Sequence, residues 1–168
     1  NWQGDYEFGK EAVLATYTRP EQSTYEGTLS EGEKERTLAN IRQNVTGVAI
    51  ENPDITFYYY FPPYSVCYWD VSVMRPGKLD WYVELQALVI EEILTCDNIL
   101  LFSYDDNTEL TCNLDYYQDQ IHYSEEINSR ILHWMKEGKG RLTKENYEAY
   151  LKRLHDFYGA YDYDSIYK

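Results

Sequence analysis

The chain has 168 residues, 43% of them hydrophobic and 26% charged, a composition that fits one globular domain able to bury a sizeable core. With 15 basic against 29 acidic residues, the net charge is −14. That balance excludes a nucleic-acid surface built to displace counterions from phosphates, and it argues against docking on an anionic membrane.

Residues 1–30 read as an irregular lead-in with one strand-like run, AVLATYT (Ala12–Thr18). At Ser30 the signals sharpen. Ser30 and Glu33 have capping-box spacing, and Leu38, Ile41, Val45 and Val48 follow at helical intervals. A helix is predicted near 31–51, ending at ENPD, where Pro53 turns Asn52 away from helical geometry. It contains the one glycosylation sequon, Asn44-Val45-Thr46, which carries little weight inside a helix.

ITFYYYFPP (Ile55–Pro63) is a β-branched and aromatic run closed by two prolines, and predicts a buried strand near 55–61. The stretch SVCYWDVSVMRPG (Ser65–Gly77) reads as a loop, followed by a helix near 79–95. NILLFSYDD (Asn98–Asp106) predicts a second strand near 98–103, with Asp105 and Asp106 as its solvated end. A helix near 124–137 follows, stopped by Gly138 and Gly140. Thr143 is placed to cap a last helix near 143–158, with Tyr147, Tyr150, Leu151, Leu154 and Phe157 as its apolar stripe.

Strand, helix, strand, long loop and helix form a β-α-β unit, which implies parallel strands and a right-handed crossover. The expected organisation is a single domain over 1–168, with a lead-in at 1–30, an α/β core at 31–138 and a terminal helix and tail at 139–168. Two strands are few for a parallel sheet covered on both faces. The chain is therefore expected to be the back half of a doubly wound, three-layer fold. The nineteen tyrosines are expected mostly as half-buried packing residues with hydroxyls reaching water or a partner.

In open parallel sheets, ligands gather at the carboxyl ends of the strands. FPPYS and SYDD mark two such ends, and Asp119 and His122 follow the second. An Asp three residues before a His can accept the Nδ1 proton and leave Nε2 to take a proton from a hydroxyl. The same spacing also suits a solvated Asp119 beside a helix entry capped by Ser124. A local nucleophile would come from Ser65, Ser103 or the thiol of Cys67. Cys67, Cys96 and Cys112 fit no metal spacing and read as small core residues, although Cys96 and Cys112 are close enough in sequence to pair. His133 and His155 sit on helices without ligand spacing, so no metal or cofactor is expected.

The ordered blocks NPDITFYYYFPPYS, NILLFSYDD and LDYYQDQIHYSEEIN resemble the carboxyl-terminal half of an SGNH/GDSL-type hydrolase over roughly Leu38 to Lys136. They are particularly similar to surface-associated bacterial members related to teichoic-acid D-alanyl-transfer proteins. The resemblance implies a flavodoxin-like core, with His122 as general base and Asp119 as its orienting carboxylate. The family's nucleophile lies in a Gly-Asp-Ser block, but here Gly4-Asp5 is followed by Tyr6, and no Gly-x-Asn-Asp block precedes FPPYS. On this resemblance the chain, which begins at Asn1, is the later part of a larger domain whose serine lies elsewhere, and it is inactive alone.

The implied activity is an esterase or acyltransferase working on O-acyl esters of a cell-envelope polymer, an acylated carbohydrate or another ester, outside the cytoplasm or at the cell surface. The alternative is a non-catalytic binding or assembly module with an aromatic glycan- or protein-binding surface. Either reading expects the sheet edge to be covered, by a second copy of the chain or by a missing amino-terminal half.

Overall fold

The computed structural model describes residues 6–25 and 27–168. Gly4 and Asp5, of the block compared above with a nucleophile motif, lie outside the described residues.

The first described element is α1 (Lys10–Thr16), a helix where a strand was expected. Val13 and Tyr17 are both buried, and their four-residue separation places them on one face of a helix. The following α2 (Glu31–Ile41) begins with the full capping box: Ser30 accepts from the Glu33 amide, and Glu33 reaches back to the Ser30 amide. It continues without a break through a π-helical turn (Arg42–Thr46) into α3 (Gly47–Glu51). The expected single helix thus contains one wide turn. Gly47 permits it, because a Cβ there would lie 2.3 Å from the Arg42 carbonyl oxygen.

β1 (Phe57–Phe61) follows, then two elements in the stretch read as a loop. These are α4 (Val66–Trp69) and a second π-helical turn (Asp70–Met74). Val66, Cys67, Trp69 and Val73 are buried there, so the segment belongs to the core. Next come α5 (Leu79–Ile93), β2 (Ile99–Ser103) and the short α6 (Thr108–Thr111). After a 3₁₀ turn (Leu114–Tyr116), α7 spans Glu125–Lys136. The chain then forms β3 (Arg141–Leu142) and α8 (Tyr147–Ala160), and ends in a 3₁₀ turn (Tyr163–Tyr167).

α8 starts later than Thr143 suggested. Asn146 occupies its N-cap, and its side chain instead accepts from the Thr143 amide at 2.8 Å in the preceding turn. Its buried stripe is Tyr150, Leu151, Leu154 and Tyr158.

The sheet has order β1-β2-β3. β1 and β2 pair in parallel, with Phe57 opposite Ile99 and Phe61 opposite Ser103, as a β-α-β unit requires. β3 was not foreseen. It adds an antiparallel edge to β2 through Leu101–Leu142 and Phe102–Arg141. Gly140 makes that approach feasible: it has positive φ, and a Cβ would come within 2.6 Å of the Ser103 carbonyl.

Alternate strand residues enter different cores. Phe57, Tyr59, Phe61, Ile99 and Leu101 pack in the larger one, with Val13, Ala49, Ile90, Leu154 and Tyr158. Tyr60, Leu100 and Phe102 face the smaller one with Ile127, Ile131 and Met135 of α7. The fold is mixed α/β with helices on both faces of the sheet. β2 is sandwiched, which accounts for its continuous apolar run. β1 is an edge: among the described residues no strand pairs with its other side, and the Tyr58 side of it is half exposed.

Candidate functional site

Pro62 and Pro63 end β1, since proline has no amide to continue a ladder. The chain then turns into α4 with Ser65 at its N-cap. The segment carrying Asp119 and His122 returns to this same place. Tyr117 and Tyr123 form an isolated antiparallel bridge, and the Gln118 amide donates to the His122 carbonyl at 3.0 Å, closing residues 117–123 into a tight loop. Side-chain hydroxyls tie the loop to the end of β1. The fully buried Tyr117 donates its hydroxyl to the Pro63 carbonyl at 2.6 Å, and Ser65 donates its hydroxyl to the Gln120 carbonyl at 2.7 Å.

Within the loop, Asp119 organises the turn. Its Oδ1 accepts from the amides of Ile121 at 2.9 Å and His122 at 2.8 Å, an Asx-type turn. Its Oδ2 lies 2.7 Å from His122 Nδ1. Partial burial of Asp119 disfavours its charge, but the two amides and the imidazole outweigh that and hold the carboxyl below its ordinary pKa. An ionised carboxylate at Nδ1 favours the tautomer with the proton on Nδ1, leaving Nε2 as the acceptor. Among the described residues no group is hydrogen-bonded to Nε2.

The imidazole is 62% exposed and lines a shallow pocket of about 300 Å³ with Pro62, Tyr64, Ile121, Tyr123 and Asn128. The walls are largely apolar and aromatic, with His122 and the Asn128 amide as polar groups. Tyr123 is fixed from behind by a 3.1 Å contact between its hydroxyl and that of Tyr60. Such a site can hold a base beside a largely apolar surface.

Among the described residues none of the candidate nucleophiles is hydrogen-bonded to this base. The Ser65 hydroxyl is buried and committed to Gln120. Ser103 is buried in the sheet, where its hydroxyl donates to the Tyr150 hydroxyl at 2.8 Å. Burial pushes the Cys67 thiol up to about 12, opposite to what a thiolate nucleophile needs. All three cysteines are free thiols, with Cys67 and Cys96 buried. His133 pairs with Glu137 and His155 with Asp80, both on exposed helix surfaces. Ser124 occupies the N-cap of α7, but its side chain makes no capping bond.

The structure corrects the reading of SYDD as a solvated end. Asp105 is buried beside Gln86, whose Nε2 donates to its Oδ2 at 3.3 Å, while among the described residues Oδ1 has no hydrogen-bond partner. Burial, with Asp106 alongside, pushes its carboxyl up to about 7. Asp106 is tied at the surface to Arg153 at 2.8 Å. The buried carboxyl carried no sequence signal, because only the packing of β2 between two layers buries it.

Among the described residues no cluster of histidine, cysteine and carboxylate side chains is placed to hold a metal ion, and no helix is long and apolar enough to cross a membrane. Comparison with protein-family models, with curated proteins and with solved structures finds no match for this chain.

Proposed function

We propose that the chain is the carboxyl-terminal part of a doubly wound, SGNH-like ester hydrolase or acyltransferase, with His122 as general base and Asp119 as its orienting carboxylate. One observation carries this reading: Asp119 contacts Nδ1 at 2.7 Å, and among the described residues nothing is bonded to Nε2, on a ring that lines a pocket. A serine hydroxyl would lose its proton to Nε2 as its oxygen bonds to the ester carbonyl carbon. The ester C–O bond then breaks, and the departing alkoxide takes the proton back from Nε2. Water or a second alcohol would repeat the cycle and release the acyl group.

The attacking serine comes from polypeptide outside the described residues, since the hydroxyls of Ser65 and Ser103 are engaged elsewhere. The open side of β1, whose carboxyl end adjoins the pocket, is where such a segment would pack. An O-acylated carbohydrate of the cell envelope is the substrate class, on the resemblance alone, and it implies an extracytoplasmic or surface location.

Labelling with a fluorophosphonate, mapped by mass spectrometry, tests this. The expected result is no adduct at Ser65 or Ser103 in this chain. A longer polypeptide should carry an adduct at an upstream serine, lost on His122→Ala. An adduct at Ser65 would establish a local triad instead, and no adduct in either form would remove the hydrolase reading.

The exposed apolar side chains at β1 favour a second reading, a binding or assembly module. Tyr58 is 53% exposed on the edge strand, and Ile55 just before it is 51% exposed. That module would be dimeric or bound to a partner along this edge. A monomer by light scattering at all concentrations would count against it.

A further inference from the structure

We propose that Ser65, rather than supplying a nucleophile, is a positioning residue whose buried hydroxyl sets the geometry of the Asp119–His122 pair. The proposal rests on the reading of His122 as a base.

Ser65 stands at the N-cap of α4, where a serine side chain ordinarily accepts from an amide of the first turn. Here it makes no such bond. Its hydroxyl points the other way and donates to the Gln120 carbonyl at 2.7 Å, and its own amide donates to the same oxygen at 3.1 Å. Two donors from one residue thus converge on one carbonyl across 55 positions of sequence. A fully buried hydroxyl needs an acceptor, and the Gln120 carbonyl of the turn is the one it takes.

The consequence follows from peptide planarity. The Gln120 carbonyl and the Ile121 amide belong to one rigid peptide unit and point in opposite directions. Pinning the carbonyl to Ser65 therefore aims the Ile121 N–H, which donates to Asp119 Oδ1 at 2.9 Å. That bond, with the His122 amide at 2.8 Å, fixes the carboxylate so that Oδ2 meets Nδ1. Ser65 acts on His122 through one peptide plane and one carboxylate. The Tyr117 hydroxyl on the Pro63 carbonyl is another tie between the same two segments.

Long-range ¹H–¹⁵N NMR of this chain reads the tautomer of each neutral histidine, with His133→Gln and His155→Gln variants assigning the signals. Wild-type His122 should carry its proton on Nδ1. Ser65→Ala should lower the ratio of the Nδ1–H to the Nε2–H form about fivefold, the effect of one lost hydrogen bond. Ser65→Thr, which keeps the hydroxyl, should restore the ratio.

Equal ratios in wild type and Ser65→Ala would overturn the positioning role and leave the pair intact. A ratio in Ser65→Thr as low as in Ser65→Ala would show that the hydroxyl is not what holds the turn. If Ser65→Ala does not fold, Tyr117→Phe decides: a lowered ratio supports the tie and an unchanged one sinks it. A wild-type His122 protonated mainly on Nε2 would instead remove the base reading itself.

Discussion

Asp119 and His122 are joined twice, through the backbone amide of His122 to Oδ1 at 2.8 Å and through Nδ1 to Oδ2 at 2.7 Å. The carboxylate therefore holds both the turn and the ring. Replacing Asp119 by Ala removes bonds to two amides and one imidazole, and an expected loss is about 1–2 kcal/mol by urea unfolding at neutral pH. The Asp119 carboxyl is held below its ordinary value in the folded chain. Its contribution is therefore fully present above the unfolded pKa and disappears as pH falls through the folded one. The gap between wild type and Asp119→Ala should close in acid; a gap of constant size would mean that the charge is not what holds the turn.

Asp105 gives the opposite slope. Its carboxyl rises from 3.8 to about 7 on folding, because burial disfavours the charge and Gln86 offers it only one 3.3 Å bond. That rise corresponds to about 4 kcal/mol of preference for the neutral acid. The folded state holds the proton more tightly, so the stability it confers is complete below the unfolded pKa and is lost as pH climbs through about 7. Asp105→Asn stays neutral throughout. Near pH 5 the variant and wild type should be similar, whereas near pH 9 the variant should be more stable by about 2–4 kcal/mol. Parallel unfolding profiles for the two proteins would show that Asp105 stays charged in the fold.

Local chemistry was legible wherever one residue announced its own conformation. Ser30 with Glu33, the prolines after β1 and the glycines after α7 all mark boundaries that the fold respects. The parallel pairing of β1 and β2 followed from the helix between them. Two apolar segments were misread because composition does not separate a buried helix from a strand or an apolar loop. In 12–18 the Val13–Tyr17 spacing competed with a strand-like run, and in 65–77 the π turn disturbs the 3.6-residue repeat that would have revealed a helix. The Asp119–His122 pair could be named from spacing because it is local. The bond from Ser65 to Gln120 and the burial of Asp105 depend on partners far away in the chain, and no local pattern encodes them.

The wide turn after α2 offers a direct test of packing. Gly47 sits where a Cβ would meet the Arg42 carbonyl oxygen at 2.3 Å, well inside contact distance. Gly→Ala in a helix ordinarily stabilises by ~1 kcal/mol. Here the close approach should reverse the sign, and Gly47→Ala is expected to cost about 1–3 kcal/mol in thermal or urea unfolding. A stabilised variant would mean that the π turn relaxes to an ordinary helix without loss.

Asp70 is the counterpart of Asp105: also buried, but surrounded by donors. Tyr17 donates its hydroxyl to Oδ2, Arg19 reaches the same oxygen through Nε at 2.5 Å, and Arg75 stands 3.6 Å from Oδ1. Arg19 also bridges to Asp164 at 2.6 Å. One guanidinium thereby links the segment after α1, the second π turn and the final 3₁₀ turn. Arg19→Met keeps much of the apolar stem but removes the closest ion pair of buried Asp70, leaving it Arg75 at 3.6 Å and the Tyr17 hydroxyl, for which a loss of about 2–3 kcal/mol is expected. Asp70→Asn removes the reason for that loss. In a double-mutant cycle the Arg19→Met/Asp70→Asn pair should therefore be less destabilised than the sum of its single variants. Additive losses would show that Arg19 holds these segments through packing and Asp164 alone, with no energetic link to Asp70.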